Sequence, residues 1–419
     1  MERFVIKGNQ PLAGTIKVNG AKNAALKILA ACLLTDEKIT VSNIPQIEDI
    51  FRLIELLKEV GVEIKNNSKG IYQLEAKKIK TTQLNPDIVS RLKGSILMVG
   101  PLLARQGEID FCRPGGCVIG QRSRDIFMDG FEAFGAKVKE TRKGYHLSTK
   151  QLKGTKFVFP LISVTATEAM ILTAVLAKGK TKLINAASEP EVVNLADFLN
   201  KLGARIKGAG TPFIDIEGVK SLKGGQCRVI PDRLEAGSFI ILGVASNSPI
   251  KVTNIEPSHL EVFWSLLDKA GANLEIGKDF VKVKQSFKLK AVNLKTHEYP
   301  GFPTDLQSPF TVLMTQAEGL SLIHETIFEG RLFYTDSLNQ MGAKIIMADP
   351  HRVLVQGSTK LYGRRLISPD IRAGIALVIA ALIAQGESII ENIYQIDRGY
   401  EKIEERLSSI GADIERVND

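Results

Sequence analysis

Six stretches of this chain are apolar on every side rather than along one face: "AALKILAACLL", "GSILMVGPLLA", "ATEAMILTAVLA", "GSFIILGVAS", "FTVLMTQA" and "AGIALVIAALIA". A helix without a polar face has to be buried all round. Between these stretches lie amphipathic segments such as "IFRLIELLKEVG" and "YEKIEERLSSIG", whose apolar stripe and opposing charges predict a second class of helix, half in water. Short segments such as "GTIKV", "TKFVF", "KITVSNI", "KTKLINA" and "SPIKVTNI" predict strands. "GTIKV" is read as the strand that leads into the first apolar helix.

These elements recur with a period. A glycine followed by a small or apolar residue closes each amphipathic helix, at Gly61, Gly135, Gly203, Gly271, Gly342 and Gly411, at intervals of 74, 68, 68, 71 and 69 residues. Glycine there reads as the left-handed residue that ends a helix. The repeating unit is βαβαββ. Six such units are too many for one core, so three plus three is expected, with the break near "LKGGQCRVIPDR" (222–233). The first strand precedes the first unit and is free to complete the last one. The expected fold class is therefore α/β: a two-domain inside-out α/β barrel of six βαβαββ repeats, helices buried and sheets outside. The expected domains are 22–229, and 1–21 plus 230–419.

Composition narrows the class of protein. The chain has 44% hydrophobic and 24% charged residues, ordinary for a soluble protein. Its longest apolar run, "AGIALVIAALIA", is too short to span a bilayer, and "MERFVIKG" lacks a signal-peptide apolar region. The net charge of +9 suits anionic ligands. With 6% aromatic residues and no basic tail, nucleic acid is not the expected partner. Cys32, Cys112, Cys117 and Cys227 show no CxxC pairing, which points to a reducing cytoplasm. The five histidines lack metal-ligand spacing, so no metal is expected.

Polar residues open each buried helix: Lys22 and Asn23, Arg91 and Lys93, Ser163 and Thr165, Arg233 and Glu235, Asp305 and Gln307, Asp370 and Arg372. Helix capping accounts for Ser163, Asp305 and Asp370. It does not account for Lys22, Lys93 or Arg372, because a cation opposes the helix dipole there. A bound anion would resolve the conflict. Arg122, Arg331 and Arg398 stand 13, 11 and 13 residues before their repeat glycines, hence at equivalent places in three repeats. In "RPGGCVIGQRSRD" (113–125), Cys117 follows two glycines and precedes Arg122 and Arg124. Nearby cations favour the thiolate, although a small core residue in a turn is the plainer alternative on that stretch alone.

"NGAKNAAL" (19–26), "PGGCVIGQRSRD" (114–125), "FPTDLQSPF" (302–310), "SPDIRAG" (368–374) and "QIDRGYEKIEERL" (395–407) resemble the UDP-N-acetylglucosamine 1-carboxyvinyltransferases, enolpyruvyl transferases that open bacterial peptidoglycan synthesis. The resemblance runs along the whole chain. It implies transfer of the enolpyruvyl group of phosphoenolpyruvate to the 3-hydroxyl of UDP-N-acetylglucosamine, with release of phosphate through a tetrahedral ketal. No cofactor and no metal are implied, and a monomer is expected. By matching positions, Lys22, Arg122 and Arg398 would hold phosphoenolpyruvate with Asn23 beside them. Arg331 and Arg372 would join on closure of an interdomain cleft. Asp370 would stabilise the developing cation, and Asp305 would accept the sugar hydroxyl proton or orient that hydroxyl. Cys117 would be the mobile-loop acid. Nucleotide contacts would fall on Lys93, Arg122, Ser123, Arg124, Asp125, Ile126, Ser163, Val164 and Ile327. The chain departs from the family at Lys93 (usually arginine), Leu161 (often lysine) and Thr165 (usually glycine), which bears on the grip on the UDP part. A catalytically weak paralogue that binds UDP-sugars is the alternative those departures leave open.

Overall fold

The computed structural model describes residues 2–115, 125–286 and 288–418. They form two compact units, a C-terminal unit of residues 2–19 and 231–418 and an N-terminal unit of residues 20–115 and 125–230.

The third repeat shows the plan. Strand Lys156–Val158 leads into helix Val164–Ala174, strand Lys180–Ile184 into helix Pro190–Lys201, and a hairpin of Arg205–Lys207 and Phe213–Glu217 closes it. The four strands make one sheet. The first two run parallel across its edge, and the hairpin pairs antiparallel to the second strand. Among the described residues there are five such four-stranded sheets and one of three strands. The three-stranded sheet belongs to the second repeat, where a single bridge between Gln83 and Asp110 stands in the place of the first strand.

The apolar stretches form the inner helices α1 (Lys22–Ala31), α2 (Val99–Gln106), α3 (Val164–Ala174), α4 (Arg233–Ala245), α5 (Gln307–Thr315) and α6 (Ile371–Ile383). Every residue of α6 from Ile371 to Leu382 is buried, as an all-apolar helix requires. In the C-terminal unit α4, α5 and α6 pack on one another; in the N-terminal unit α2 packs on α3, and the 3₁₀ turn Lys93–Met98 packs on both α1 and α3. Each unit has its own apolar core. The six repeat glycines all have positive φ, from 83° to 106°, so their lack of a Cβ is what lets each outer helix end and the next strand begin.

Three strands depart from sequence order. β1 (Arg3–Lys7) lies antiparallel between Glu387–Glu391 and Asp413–Val417, completing the sixth repeat. β2 (Gly14–Lys17), the "GTIKV" strand, does not serve the first repeat. It runs parallel to Ile250–Thr253 in the C-terminal unit. β3 (Gly225–Arg228) takes the vacated role beside Ile39–Ser42 in the N-terminal unit. The two strands thus exchange sheets. Both are edge strands with one inward apolar residue, Ile16 and Cys227, so nothing local in either tells the sheets apart.

Candidate active site

In the C-terminal unit the starts of the inner helices do converge. Asp305 sits on the 3₁₀ turn Thr304–Leu306 just ahead of α5. Its Oδ1 accepts from Arg331 Nη1 at 2.8 Å, and its Oδ2 accepts from Arg372 Nε at 2.9 Å. Both arginines are buried while the carboxylate keeps 23% of its side-chain surface, so it is held from one side and open on another. Burial works against the charge on Asp305, but the Arg372 and Arg331 guanidiniums outweigh it and hold the carboxyl well below the usual range. Burial likewise opposes the charge on Arg372, and Asp305 more than restores it. Tyr400 lies behind, its hydroxyl 3.4 Å from Arg372 Nη1 and 3.0 Å from Ser238 Oγ on α4. Burial pushes its phenol up to about 12.

Capping therefore does not explain Asp305, whose carboxylate is taken by arginines rather than by helix N–H groups. It does explain Asp370, which caps α6 by accepting from the N–H groups of Arg372 (2.7 Å) and Ala373 (3.1 Å). Arg331 lies in the 3₁₀ turn Glu329–Leu332, and Arg398 follows the short helix Tyr394–Asp397. Both equivalent arginines are buried, which excludes a plain surface role. Arg398 Nη1 donates to Gln395 Oε1 at 2.9 Å. Ile327 is half-buried, and its N–H donates to Glu325 Oε1.

In the N-terminal unit Lys22 opens α1 and its Nζ lies 2.6 Å from Asp49 Oδ2, both side chains buried. The anion facing this N-terminal lysine is a protein carboxylate, as it is for Arg372. Gly20, just before it, has the Asn43 carbonyl oxygen 1.7 Å from where a Cβ would stand, so only glycine fits the approach that sets Lys22 in place. Asn23 and Lys93 are half-buried. Ser163 caps α3, its Oγ 3.4 Å from the Ala166 N–H, and the half-buried Val164 follows. Ile126 is packed into the core at 2% exposure. Leu161 is exposed.

Cys117, Arg122, Ser123 and Arg124 lie outside the described residues, and Asp125 is described only as the start of helix Asp125–Ala133. Gly115, at the edge of that stretch, has the Ser90 carbonyl oxygen 1.4 Å from a would-be Cβ. The first of the two glycines before Cys117 thus serves a close backbone approach. The three other thiols are all raised by burial: Cys32 strongly, Cys227 to about 11, and Cys112 less. Among the described residues no group of histidine, cysteine, aspartate and glutamate could hold a metal ion, and no helix is long and apolar enough to cross a membrane.

Sequence reasoning missed Asp49, which reads as an ordinary acidic residue in a helix's first turn. It also missed the buried pair Lys27 and Glu168, 3.1 Å apart. The signal for those two was one charge inside each of two otherwise apolar helices.

A family model described as EPSP synthase (3-phosphoshikimate 1-carboxyvinyltransferase) matches residues 6–407. The chain belongs to that family. Its relatives include "UDP-N-acetylglucosamine 1-carboxyvinyltransferase 2" of Carboxydothermus hydrogenoformans, 44% identical with all of both chains covered. "UDP-N-acetylglucosamine 1-carboxyvinyltransferase" of Koribacter versatilis is 42% identical over 100% of this chain and 97% of that protein. Among solved structures, the enolpyruvyl transferase NikO from Streptomyces tendae superposes with a TM-score of 0.91 at 24% identity, covering 100% of this chain and 99% of its own. That likeness establishes the enolpyruvyl transferase fold.

Proposed function

We propose that this protein transfers the enolpyruvyl group of phosphoenolpyruvate to the 3-hydroxyl of UDP-N-acetylglucosamine and releases inorganic phosphate. The observation that carries this reading is the end-to-end likeness, at 42–44% identity, to relatives bearing the name of that activity. The step it supplies would commit UDP-N-acetylglucosamine to peptidoglycan synthesis.

Protonation of the methylene carbon makes the adjacent carbon an oxocarbenium-like centre, which the sugar hydroxyl attacks to give a tetrahedral ketal. Loss of a proton from the new methyl group and departure of phosphate restore the enol ether. We assign phosphoenolpyruvate to Lys22, Arg122 and Arg398 with Asn23 beside them, because cations must surround its carboxylate and phosphate. Arg331 and Arg372 are assigned to the same charges, Asp370 to the developing cation, and Cys117 to the proton donor. The UDP part falls to Lys93, Ser163, Val164, Ile327 and residues 122–126. The low-lying carboxyl of Asp305 supports the hydroxyl-orienting half of its expected role. Proton acceptance at Asp305 requires that anionic substrate first draw the arginines away. We extend the proposal to a monomer in the reducing cytoplasm, a compartment that the free Cys32, Cys112 and Cys227 support.

A coupled phosphate-release assay tests the reaction. Turnover with both substrates and none with either alone is expected; no phosphate from the pair would overturn the reading. Cys117 is tested by peptide mapping after treatment with a small phosphonate epoxide. The label is expected on Cys117, faster with nucleotide sugar present. A label on Cys32, Cys112 or Cys227 instead would remove Cys117 from its role.

A further inference from the structure

A carboxylate with no part in that chemistry stands next to Asp305. Glu325 follows strand Gly319–His324 and is fully buried. Its Oε1 accepts from the N–H groups of Ile327 (2.9 Å) and Phe328 (3.2 Å) and from the Thr296 hydroxyl (3.1 Å). Its Oε2 accepts from the Thr304 hydroxyl at 2.8 Å. Four neutral donors thus meet a carboxyl group that burial without partners would disfavour. The main chain holds it as well: its N–H donates to the His351 carbonyl, and its carbonyl lies 2.8 Å from His351 Nδ1.

The two carboxylate oxygens face different segments. Oε2 fixes Thr304, the chain neighbour of Asp305. Oε1 fixes the turn at Ile327 and Phe328, from which the Glu329–Leu332 segment carrying Arg331 departs. The Phe328 ring lies 4.9 Å from the Arg331 guanidinium carbon, beneath its face. Thr304 closes the loop. A hydroxyl has one proton, and Glu325 takes it, so the oxygen presents lone pairs to Arg331 Nη1 at 2.7 Å. The same Nη1 holds Asp305 Oδ1 at 2.8 Å.

We propose that Glu325 is a positioning residue for the reaction: it ties the Thr304–Asp305 turn to the Arg331 segment and sets the polarity of the Thr304 hydroxyl, so that Arg331 stands where it can hold Asp305. The inference rests on the proposed activity and goes one residue beyond it. Asp305 is faced by Arg331 from this segment and by Arg372 from α6, with Tyr400 behind Arg372 and Asp232 close enough to act on its charge.

Glu325→Gln keeps the shape and the acceptor for the two N–H groups, but places an amide N–H against Thr304. The expected result is a kcat lowered by up to about 100-fold, the scale of a small misplacement at a reacting centre, with the melting temperature little changed. The acidic limb of the kcat–pH profile should move to higher pH, because Asp305 loses one firmly held cation; a role in folding alone would not move it. Thr304→Val should reproduce the effect, Thr304→Ser should restore wild-type behaviour, and the double variant Glu325→Gln, Thr304→Val should be no worse than either single change. Wild-type kcat and pH profile in Glu325→Gln, or additive losses in the double variant, would overturn the proposal. If Glu325→Gln fails to fold, the Thr304→Val and Thr304→Ser pair decides alone. Carbon-13 NMR of the Asp305 carboxyl needs no turnover: it should stay ionised in the wild type down to the lowest pH at which the protein remains folded and begin to protonate within that range in Thr304→Val, and a carboxyl still ionised throughout in Thr304→Val overturns Glu325's role. Wild-type enzyme without phosphate release would instead overturn the activity.

Discussion

Asp305 and Glu168 are both carboxylates near the start of an inner helix, one in each unit, and they are held in opposite ways. Asp305 lies between two guanidiniums and keeps part of its surface open. Glu168, in α3, is sealed with one ammonium, Lys27 of α1, at 3.1 Å, and Glu191 and Glu189 add repulsion. Burial therefore dominates at Glu168 and pushes its carboxyl up to about 8, while Asp305 is driven down. The same helix plan thus yields a poised anion in one unit and a reluctant one in the other. The type and number of cationic partners decide which.

The sharpest break of this comparison is at Asp305. Asp305→Ala is expected to lower turnover by about 10²–10⁴-fold, the range for losing a group that orients the reacting hydroxyl or takes its proton, while phosphoenolpyruvate binding changes far less. Phosphate release set against equilibrium binding checks this. Arg372→Lys retains charge but loses the Nε donor to Asp305 Oδ2 and the planar fork, so kcat should fall by roughly 10-fold with the acidic limb displaced upward, as the loss of a charged hydrogen bond implies.

At Glu168 the expected effects are on stability. Glu168→Leu takes the carboxyl oxygen at 3.1 Å away from the buried Lys27 ammonium and should cost about 1–3 kcal/mol; adding Lys27→Met removes the stranded donor and should recover most of it. The pH dependence follows from the raised carboxyl. Between its ordinary 4.5 and its folded value of about 8, the folded protein holds a proton that the unfolded chain has released. Stability therefore falls as pH rises through that window, by at most about 1.4 kcal/mol per unit. Urea unfolding from pH 5 to 8 should show this slope in the wild type and a flatter one in the double variant. Equal slopes would mean that Glu168 is ionised throughout.

The smallest effect tests the contrast between guanidinium and ammonium directly. Lys93→Arg supplies a fork where this chain has a point charge, and should lower the KM for UDP-N-acetylglucosamine by a few-fold with kcat unchanged.

The periodic glycines and the all-apolar helices made the repeat plan legible, because both are local signals. The exchange of β2 and β3 was not legible. "GTIKV" and "GGQCRV" present the same edge-strand pattern, and their partners are more than 180 residues away. Arg331, Arg372 and Asp305 were found as candidates, but an excess of cations at helix starts suggested a bound anion, and the structure fills that place with Asp305 itself. Glu325 reads in "LIHETIFEG" as one of two acids in a loop; only its four donors reveal it. Lys22 stood out at a helix start while its partner Asp49 did not, for pairing across a fold leaves no trace in spacing.

The two N-terminal strands also bear on how the polypeptide is made. Lys7 of β1 pairs with Glu387 and Asp413, so the first strand to leave the ribosome is among the last to find its place. At the roughly 5–20 residues per second of synthesis, it waits about 20–80 s with its main chain unpaired. The N-terminal unit is free of that delay once Arg228 has emerged, since residues 20–230 contain all its sheets. The gene therefore encodes an early-ripening half inside a late one. Severing the chain between Ile230 and Pro231 would leave all the sheets of the N-terminal unit on one piece and deprive the other of two strands, β1 and β2.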